Sequence, residues 1–243
     1  MSVMDRVLGP RVSAEEAAKH RERYRLPTMF FVGAMLVLLV SLFFPYWQLD
    51  LKAPQFPQGL HVSAYVNRLV GDVDPVTQSN DLEQLDGLNH YVGMPPLEDG
   101  AQFERTISIA GIVMMAGLLV AAVWVHSRWV VLLVLPALLF PLIFLADLQY
   151  WLWNYGHSLD PRAPLAGAVG EFTPHLFGSS KIAQFNTSAT PGFGLLLAGL
   201  ASVLVAIGLW FHRRAYLPLV KAAAGDAETT ESAEQAVAPA STS

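Results

Sequence analysis

The sequence predicts an all-α membrane protein with four transmembrane helices and two long extracytoplasmic loops that form a cap. Three observations predict it. Four long uncharged runs occupy residues 26–49, 106–125, 129–146 and 189–211 of the 243-residue chain. As a helix, each is about long enough to cross the ~30 Å hydrocarbon core of a bilayer. Basic residues collect before the first run, between the second and third, and after the fourth. The two intervening segments are longer than ordinary bundle connections, which marks them as ordered or functional.

The runs divide the chain into a cytoplasmic N-terminal segment with a short charged helix (1–25), span 1 (26–49), loop 1 (50–105) and span 2 (106–125). A cytoplasmic turn (126–128), span 3 (129–150), loop 2 (151–188), span 4 (189–211) and a cytoplasmic disordered tail (212–243) follow. Arg6, Arg11, Lys19, Arg21, Arg23 and Arg25 precede span 1, Arg128 joins spans 2 and 3, and Arg213, Arg214 and Lys221 follow span 4. The positive-inside rule therefore puts both termini in the cytoplasm and both loops outside. Span 1 is expected to remain in place, because its apolar run is longer than the ~7–15 residues of a signal-peptide core. Arg105 stands on the outer side, where it can snorkel to headgroups or pair with Glu104.

Within the segments, Ser13-Ala14-Glu15-Glu16 is a capping-box pattern that opens the short helix, and Leu26-Pro27 marks entry into span 1. Ala53-Pro54-Gln55-Phe56-Pro57-Gln58-Gly59 reads as a stiff extended or turn segment. Leu60, Val62, Ala64 and Val66 alternate, which fits a strand, with a short surface helix as the alternative. Residues 71–80 are turn-like. Residues 81–88 fit an amphipathic helix with Leu82, Leu85 and Leu88 on one face. Pro136 and Pro141 each remove a backbone donor, predicting a kink in span 3, with a break or widened turn between Leu132 and Pro141. Gly194, Ala198, Ser202 and Ala206 recur every fourth residue in span 4, a small-residue stripe suited to close helix packing. The tail lacks aromatics and is rich in Ala, Thr, Ser and Glu, a composition that predicts disorder.

Enzyme signatures are absent: the chain has no Gly-x-Ser-x-Gly elbow, phosphate loop or dinucleotide fingerprint. The reading is a non-enzyme. The juxtamembrane arginines are explained by topology rather than by nucleic acid. The lack of cysteine excludes thiolate metal sites and iron–sulfur clusters. Chemistry must then come from other residues. His90 and Met94 lie four apart, and imidazole plus thioether suits copper, above all Cu(I). His157 from loop 2 would complete the site, with Asp160, His175 or His61 as second-sphere or alternative ligands. The plainer alternative leaves His157 capping a turn or holding Asp160. Asp147 is the only acid close to the membrane core, read either as functional or as an interfacial hydrogen-bond partner of Tyr46, Trp47 or the opposite loop.

Two stretches resemble a known bacterial family. One runs from Ala53-Pro54-Gln55-Phe56-Pro57-Gln58-Gly59-Leu60 to Leu88-Asn89-His90-Tyr91-Val92-Gly93-Met94. The other is Tyr155-Gly156-His157-Ser158-Leu159-Asp160-Pro161-Arg162-Ala163-Pro164, continuing through Pro174, Gly178 and Lys181 to Phe185. The family resembles multispanning membrane proteins found beside periplasmic copper chaperones and nitrous-oxide-reductase maturation proteins. The resemblance implies a bacterial inner-membrane location and a role in copper handling or copper-enzyme assembly. It also implies a periplasmic copper chaperone or apo-enzyme as partner. The combined expectation is a membrane component that positions copper, or a chaperone, at its outer cap. The alternatives are a metal-free scaffold subunit beside other membrane subunits, and a small-solute or metal transporter with Asp147 on its path.

Overall fold

The computed structural model describes residues 15, 19, 21–75, 78–182 and 185–237. In chain order the elements are α1 (Arg21–Ser41), β1 (Trp47–Ala53), β2 (Phe56–Ala64), β3 (Leu69–Gly71) and α2 (Asp81–Val92). A 3-10 turn (Leu97–Asp99), α3 (Gln102–Ala122), α4 (Val130–His157), α5 (Ala166–Val169), β4 (Gly178–Ile182), β5 (Phe185–Pro191) and α6 (Phe193–Val237) follow. Among the described residues, α1, α3, α4 and α6 are long and apolar enough to cross a membrane. The expected capping box at Ser13 lies outside the described residues.

The all-α expectation is corrected by a five-stranded antiparallel sheet of order β3-β2-β1-β5-β4, counted among the described residues. Span 1 is accordingly shorter than predicted. α1 stops at Ser41, and the chain is already in β1 at Trp47. Pro45 is the local reason, since it bars Phe44 from continuing a helix. Ser41 Oγ bonds the Leu38 carbonyl at 2.5 Å and the Tyr46 hydroxyl at 2.6 Å, closing the helix end against the start of the strand. Burial pushes the Tyr46 hydroxyl up to about 12, so it stays protonated and able to donate. At the other boundary, residues 189–191 belong to β5 rather than to span 4. Beyond Lys221, where the sequence predicts disorder, α6 continues to Val237. That stretch carries Ala and Glu, good helix formers, and no proline.

The spanning helices pack as a ring, α1 on α6, α6 on α4, α4 on α3 and α3 on α1, with the α1–α6 face the most extensive. Phe31, Leu38, Ile112, Leu119, Val134 and Val205 are almost fully buried at its centre. The buried seam of α6 runs Gly194, Ala198, Ala201, Val205, Gly208, His212, Ala215 and Leu219, in alternating steps of four and three. Of the four residues in the predicted stripe, Gly194 and Ala198 are buried, Ser202 is half-buried and Ala206 is exposed. A strict four-residue repeat rotates around a 3.6-residue helix, whereas a seven-residue repeat stays nearly on one face. At Gly208 a Cβ would come within 2.7 Å of the Phe31 ring, so the seam needs its small residues.

α4 is assigned as one helix through Pro136 and Pro141. Pro141 has no N–H to offer the Ala137 carbonyl, its normal helical acceptor. Ser202 Oγ donates to that carbonyl at 3.2 Å, and is also 3.2 Å from the Ala198 carbonyl. The proline in one helix is thus matched by a hydroxyl from the next.

Both loops build one cap. β1 and β2 come from loop 1 and β5 from loop 2, with β1 paired to both. Trp47, Leu49 and Leu51 alternate with Gln48, Asp50 and Lys52, so β1 has one apolar and one polar face. Leu60, Val62 and Ala64 of β2 continue the apolar face, as the period-2 reading expects. The 53–59 segment closes the β1–β2 hairpin, with Ala53 opposite Phe56. α2 covers this apolar face with Leu82 and Leu85 buried and Leu88 half-buried, and extends past the predicted residue 88 to Val92. Asn80 caps its N-terminus by accepting from Leu82 N at 2.8 Å.

Candidate ligand cavity beneath the cap

The two sequence motifs meet, through their backbones. Gly93 ends α2 at φ +92°, with Gly93 N bonded to the His90 carbonyl (3.3 Å) and Met94 N to that of Asn89 (2.8 Å), the Schellman pattern. The turn presents the Gly93 carbonyl to Asp160 N at 2.8 Å, and Leu165 N reaches the Tyr91 carbonyl at 3.0 Å. A Cβ at Gly93 would lie 2.7 Å from the Asp160 carbonyl oxygen, so glycine is required both for the turn and for the approach. Gly156 is tighter still: a Cβ there would sit 1.7 Å from the Phe172 carbonyl oxygen. Tyr155 Oη donates to the Pro96 carbonyl at 2.8 Å, pinning the end of α4 to loop 1.

The side chains proposed as ligands take different positions. His90 is exposed on α2, and Met94 is half-buried against the apolar core of the cap. His157 stacks on Trp153 with ring centroids 4.9 Å apart, and its Nδ1 is 2.8 Å from the Trp153 carbonyl. Asp160 does not orient His157 through a hydrogen bond; its Oδ1 accepts from Arg162 N at 2.9 Å in a local turn. His61 stands opposite Asp50 on the polar face of the sheet, with Nδ1 bonded to Asp50, and its backbone N donates to Asp81 Oδ2 at 2.8 Å. His175 is exposed at the edge of a cavity. Among the described residues, no three His, Asp or Glu side chains group as a metal site would require.

That cavity lies where the cap meets the spanning helices. It has a volume of about 500 Å³ and lies between the apolar face of the sheet and the cap ends of α3 and α4. Trp47, Leu49, Leu51, Val62 and Ala64 form the roof. Leu85, Leu88 and Val92 of α2 close one side. Ile107, Gly111 and Met115 from α3 face Phe140, Ile143 and Phe144 from α4. α3 and α4 are joined by a tight turn at the other end, where Val125 N bonds the Ala122 carbonyl at 3.3 Å. The size and apolar lining fit a pocket for a small or chain-like hydrophobic ligand.

Its edge is polar. Glu104, Arg105, Asp147, Trp151, Asn89 and His175 all border the cavity. Asp147 takes its hydrogen-bond partner from its own helix, Trp151, and Glu104 is its like-charged neighbour. Arg105 does not pair with Glu104: among the described residues its guanidinium donates to the Glu98 carbonyl, and its buried Nε has no partner. Asn89 Nδ2 and Trp151 Nε1 are also buried without a hydrogen bond of normal geometry. Nearby, burial pushes the Asp86 carboxyl above its ordinary range, with Glu98 and Asp99 adding to that push, although Leu97 N donates to it at 2.7 Å.

Comparison with models of known protein families and with curated proteins finds no match. Sequence reasoning missed the cavity lining, including Trp47, Leu49 and Leu51 of β1, the first two of which fall in the first apolar run. The alternation Trp47-Gln48-Leu49-Asp50-Leu51-Lys52 was the available signal. The β4–β5 hairpin carries a weaker one, the β-favouring Thr187 and Thr190.

At the opposite end of the bundle, His212 is 4% exposed, and its Nε2 is 3.0 Å from the Val125 carbonyl. Tyr24 sets its ring edge-on to His126 at 4.5 Å. Burial holds the His126 ring below its ordinary pKa, toward the neutral form.

Proposed function

We propose that this chain is a non-catalytic membrane component that binds a hydrophobic group in the cavity between its folded cap and its helices. The observation that carries the reading is the apolar volume of about 500 Å³ under the sheet, bordered by polar groups on one edge. On the basic-residue bias, the cap faces the extracytoplasmic side and both termini the cytoplasm. A reporter inserted at Gly167 should then read extracytoplasmic, and one placed after Lys221 cytoplasmic.

The binding test uses a fluorescent fatty-acyl probe and the purified protein in detergent. Saturable 1:1 binding should be lost in Gly111→Phe. Gly111 lines the cavity, and a Cβ there meets nothing within 4 Å, so the added side chain starts into open space. Binding unchanged by this substitution would place the probe elsewhere and end the cavity reading.

A second reading, copper handling with a periplasmic chaperone or apo-enzyme as partner, draws support from His157. A backbone carbonyl at Nδ1 sets the tautomer and leaves Nε2 for a metal, the usual arrangement behind a ligating imidazole. His90 is exposed on the helix whose end is tied to the 160–165 segment. Met94 fits less well, because its side chain packs into the cap core. Stoichiometric Cu(I) binding that is lost in both His90→Ala and His157→Ala would favour this role. Equal binding by all three proteins, or by none, would remove it.

A further inference from the structure

We propose that the occupant of the cavity is an acyl chain of a bilayer phospholipid with a zwitterionic headgroup. Its ammonium lies against Glu104 and Asp147, and its phosphate against Arg105. The inference rests on the cavity reading above and adds the chemistry of the ligand.

Ile107 and Ile143, on spanning helices, line the cavity and are 47% and 58% exposed, so the lining offers an apolar route toward the bilayer. A chain entering there exchanges one hydrocarbon environment for another, and the headgroup stays at the edge where α3 begins.

The edge selects the headgroup. Glu104 and Asp147 repel each other, and neither has a basic side chain within 4 Å among the described residues. Two carboxylates beside an apolar space call for a cation. The same edge also asks for an acceptor. Arg105 Nε is a buried N–H donor without a partner among the described residues, while Trp151 interacts with Asp147 and Asn89 with Asp86. A group with a positive and a negative end satisfies both demands. A purely anionic head meets the donor but faces the carboxylates.

Native mass spectrometry of the purified, delipidated protein tests this with added phosphatidylethanolamine, phosphatidylcholine and phosphatidylglycerol. Wild type should retain the two zwitterionic lipids about fivefold better than phosphatidylglycerol, the size of an ion pair near water. Water-soluble phosphoethanolamine should not compete, since the chain supplies the affinity. The double variant Glu104→Gln/Asp147→Asn should keep total bound lipid and lose the preference. Glu104→Gln alone should halve it if the double variant does not fold. Gly111→Phe should reduce all three lipids together.

The outcomes separate the two readings. Lipid retention untouched by Gly111→Phe overturns both. Loss in Gly111→Phe with an unchanged headgroup preference in the carboxylate variants overturns the headgroup assignment alone. A wild-type preference for phosphatidylglycerol, or competition by phosphoethanolamine, overturns it as well.

Discussion

The bundle and the cap are held together by opposite means. In the bundle, contact is side chain on side chain, along a seam of Gly194, Ala198, Ala201, Val205 and Gly208 that lets α6 approach α1 and α4. Hydrogen bonds between helices are few, and the one from Ser202 to Ala137 repairs a defect left by a proline. In the cap, segments distant in sequence join through backbone bonds, Asp160 to Gly93, Leu165 to Tyr91 and Phe172 to Gly156. Glycines stand at two of those three junctions because the partner backbone occupies the space of a Cβ. The difference teaches where each half is fragile: the bundle to added volume in its seam, the cap to a single methyl group at a junction.

The largest effect should come from Gly156→Val. The added side chain meets the Phe172 carbonyl, and relief requires loop 2 to leave the end of α4. A loss of about 3 kcal/mol or more from the cap is expected. Limited proteolysis should cut the 158–178 region rapidly while the helical circular-dichroism signal persists. If cap and helices melt together, the two halves are one cooperative unit and the contrast drawn here fails.

The next test stays within the bundle. Ala198→Leu forces volume into a fully buried position and should cost about 1–3 kcal/mol. Ala206→Leu places the same side chain on the exposed face of α6 and should change thermal stability in detergent by less than about 0.5 kcal/mol. Equal effects at the two positions would mean that the seven-residue seam is not the packing face.

Ser202→Ala should cost about 0.5–1.5 kcal/mol, because the carbonyl facing Pro141 loses its donor. In a Pro141→Ala background the helix supplies its own N–H to that carbonyl, and the cost of Ser202→Ala should shrink toward zero. A double-mutant cycle with no coupling would deny the repair role.

The smallest effect is expected at the solvent face of the sheet. His61→Ala removes an exposed cross-strand partner of Asp50 and should lower stability by about 0.5 kcal/mol or less. A larger loss would show that the outer face of the cap contributes to its hold as well as the inner one.

The bundle was the more legible half. Uninterrupted apolar runs of membrane length announce helices directly, and α3 lies close to its predicted limits. Hydropathy alone misplaced the junctions, because β1 begins with Trp47 and Leu49 and so looks like the end of the run before it. The β2 alternation and the α2 leucines were readable because burial on one face leaves a period. The pairing of β1 with β5 was not readable, since it joins residues well over a hundred positions apart and depends on the bundle bringing the two loops together. For the same reason the cavity has no local signature: its roof, side and floor come from separate elements. The histidine–methionine spacing pointed to segments that do meet, but the contact is made by main chain, which spacing does not report.

One junction has a further consequence. Gly192 N bonds the Tyr46 carbonyl at 2.9 Å, and Gly194 N the Pro45 carbonyl at 2.8 Å, so the exit from α1 and the entry to α6 are laced side by side. Directly beyond, β1 and β5 run as neighbours in fixed register. The length of the stretch from 42 to 46 therefore matters to the strand that follows. One inserted residue turns every side chain of β1 over, sending Gln48, Asp50 and Lys52 into the cavity and Trp47, Leu49 and Leu51 into water. Five residues of linker act as a reading frame for the whole roof.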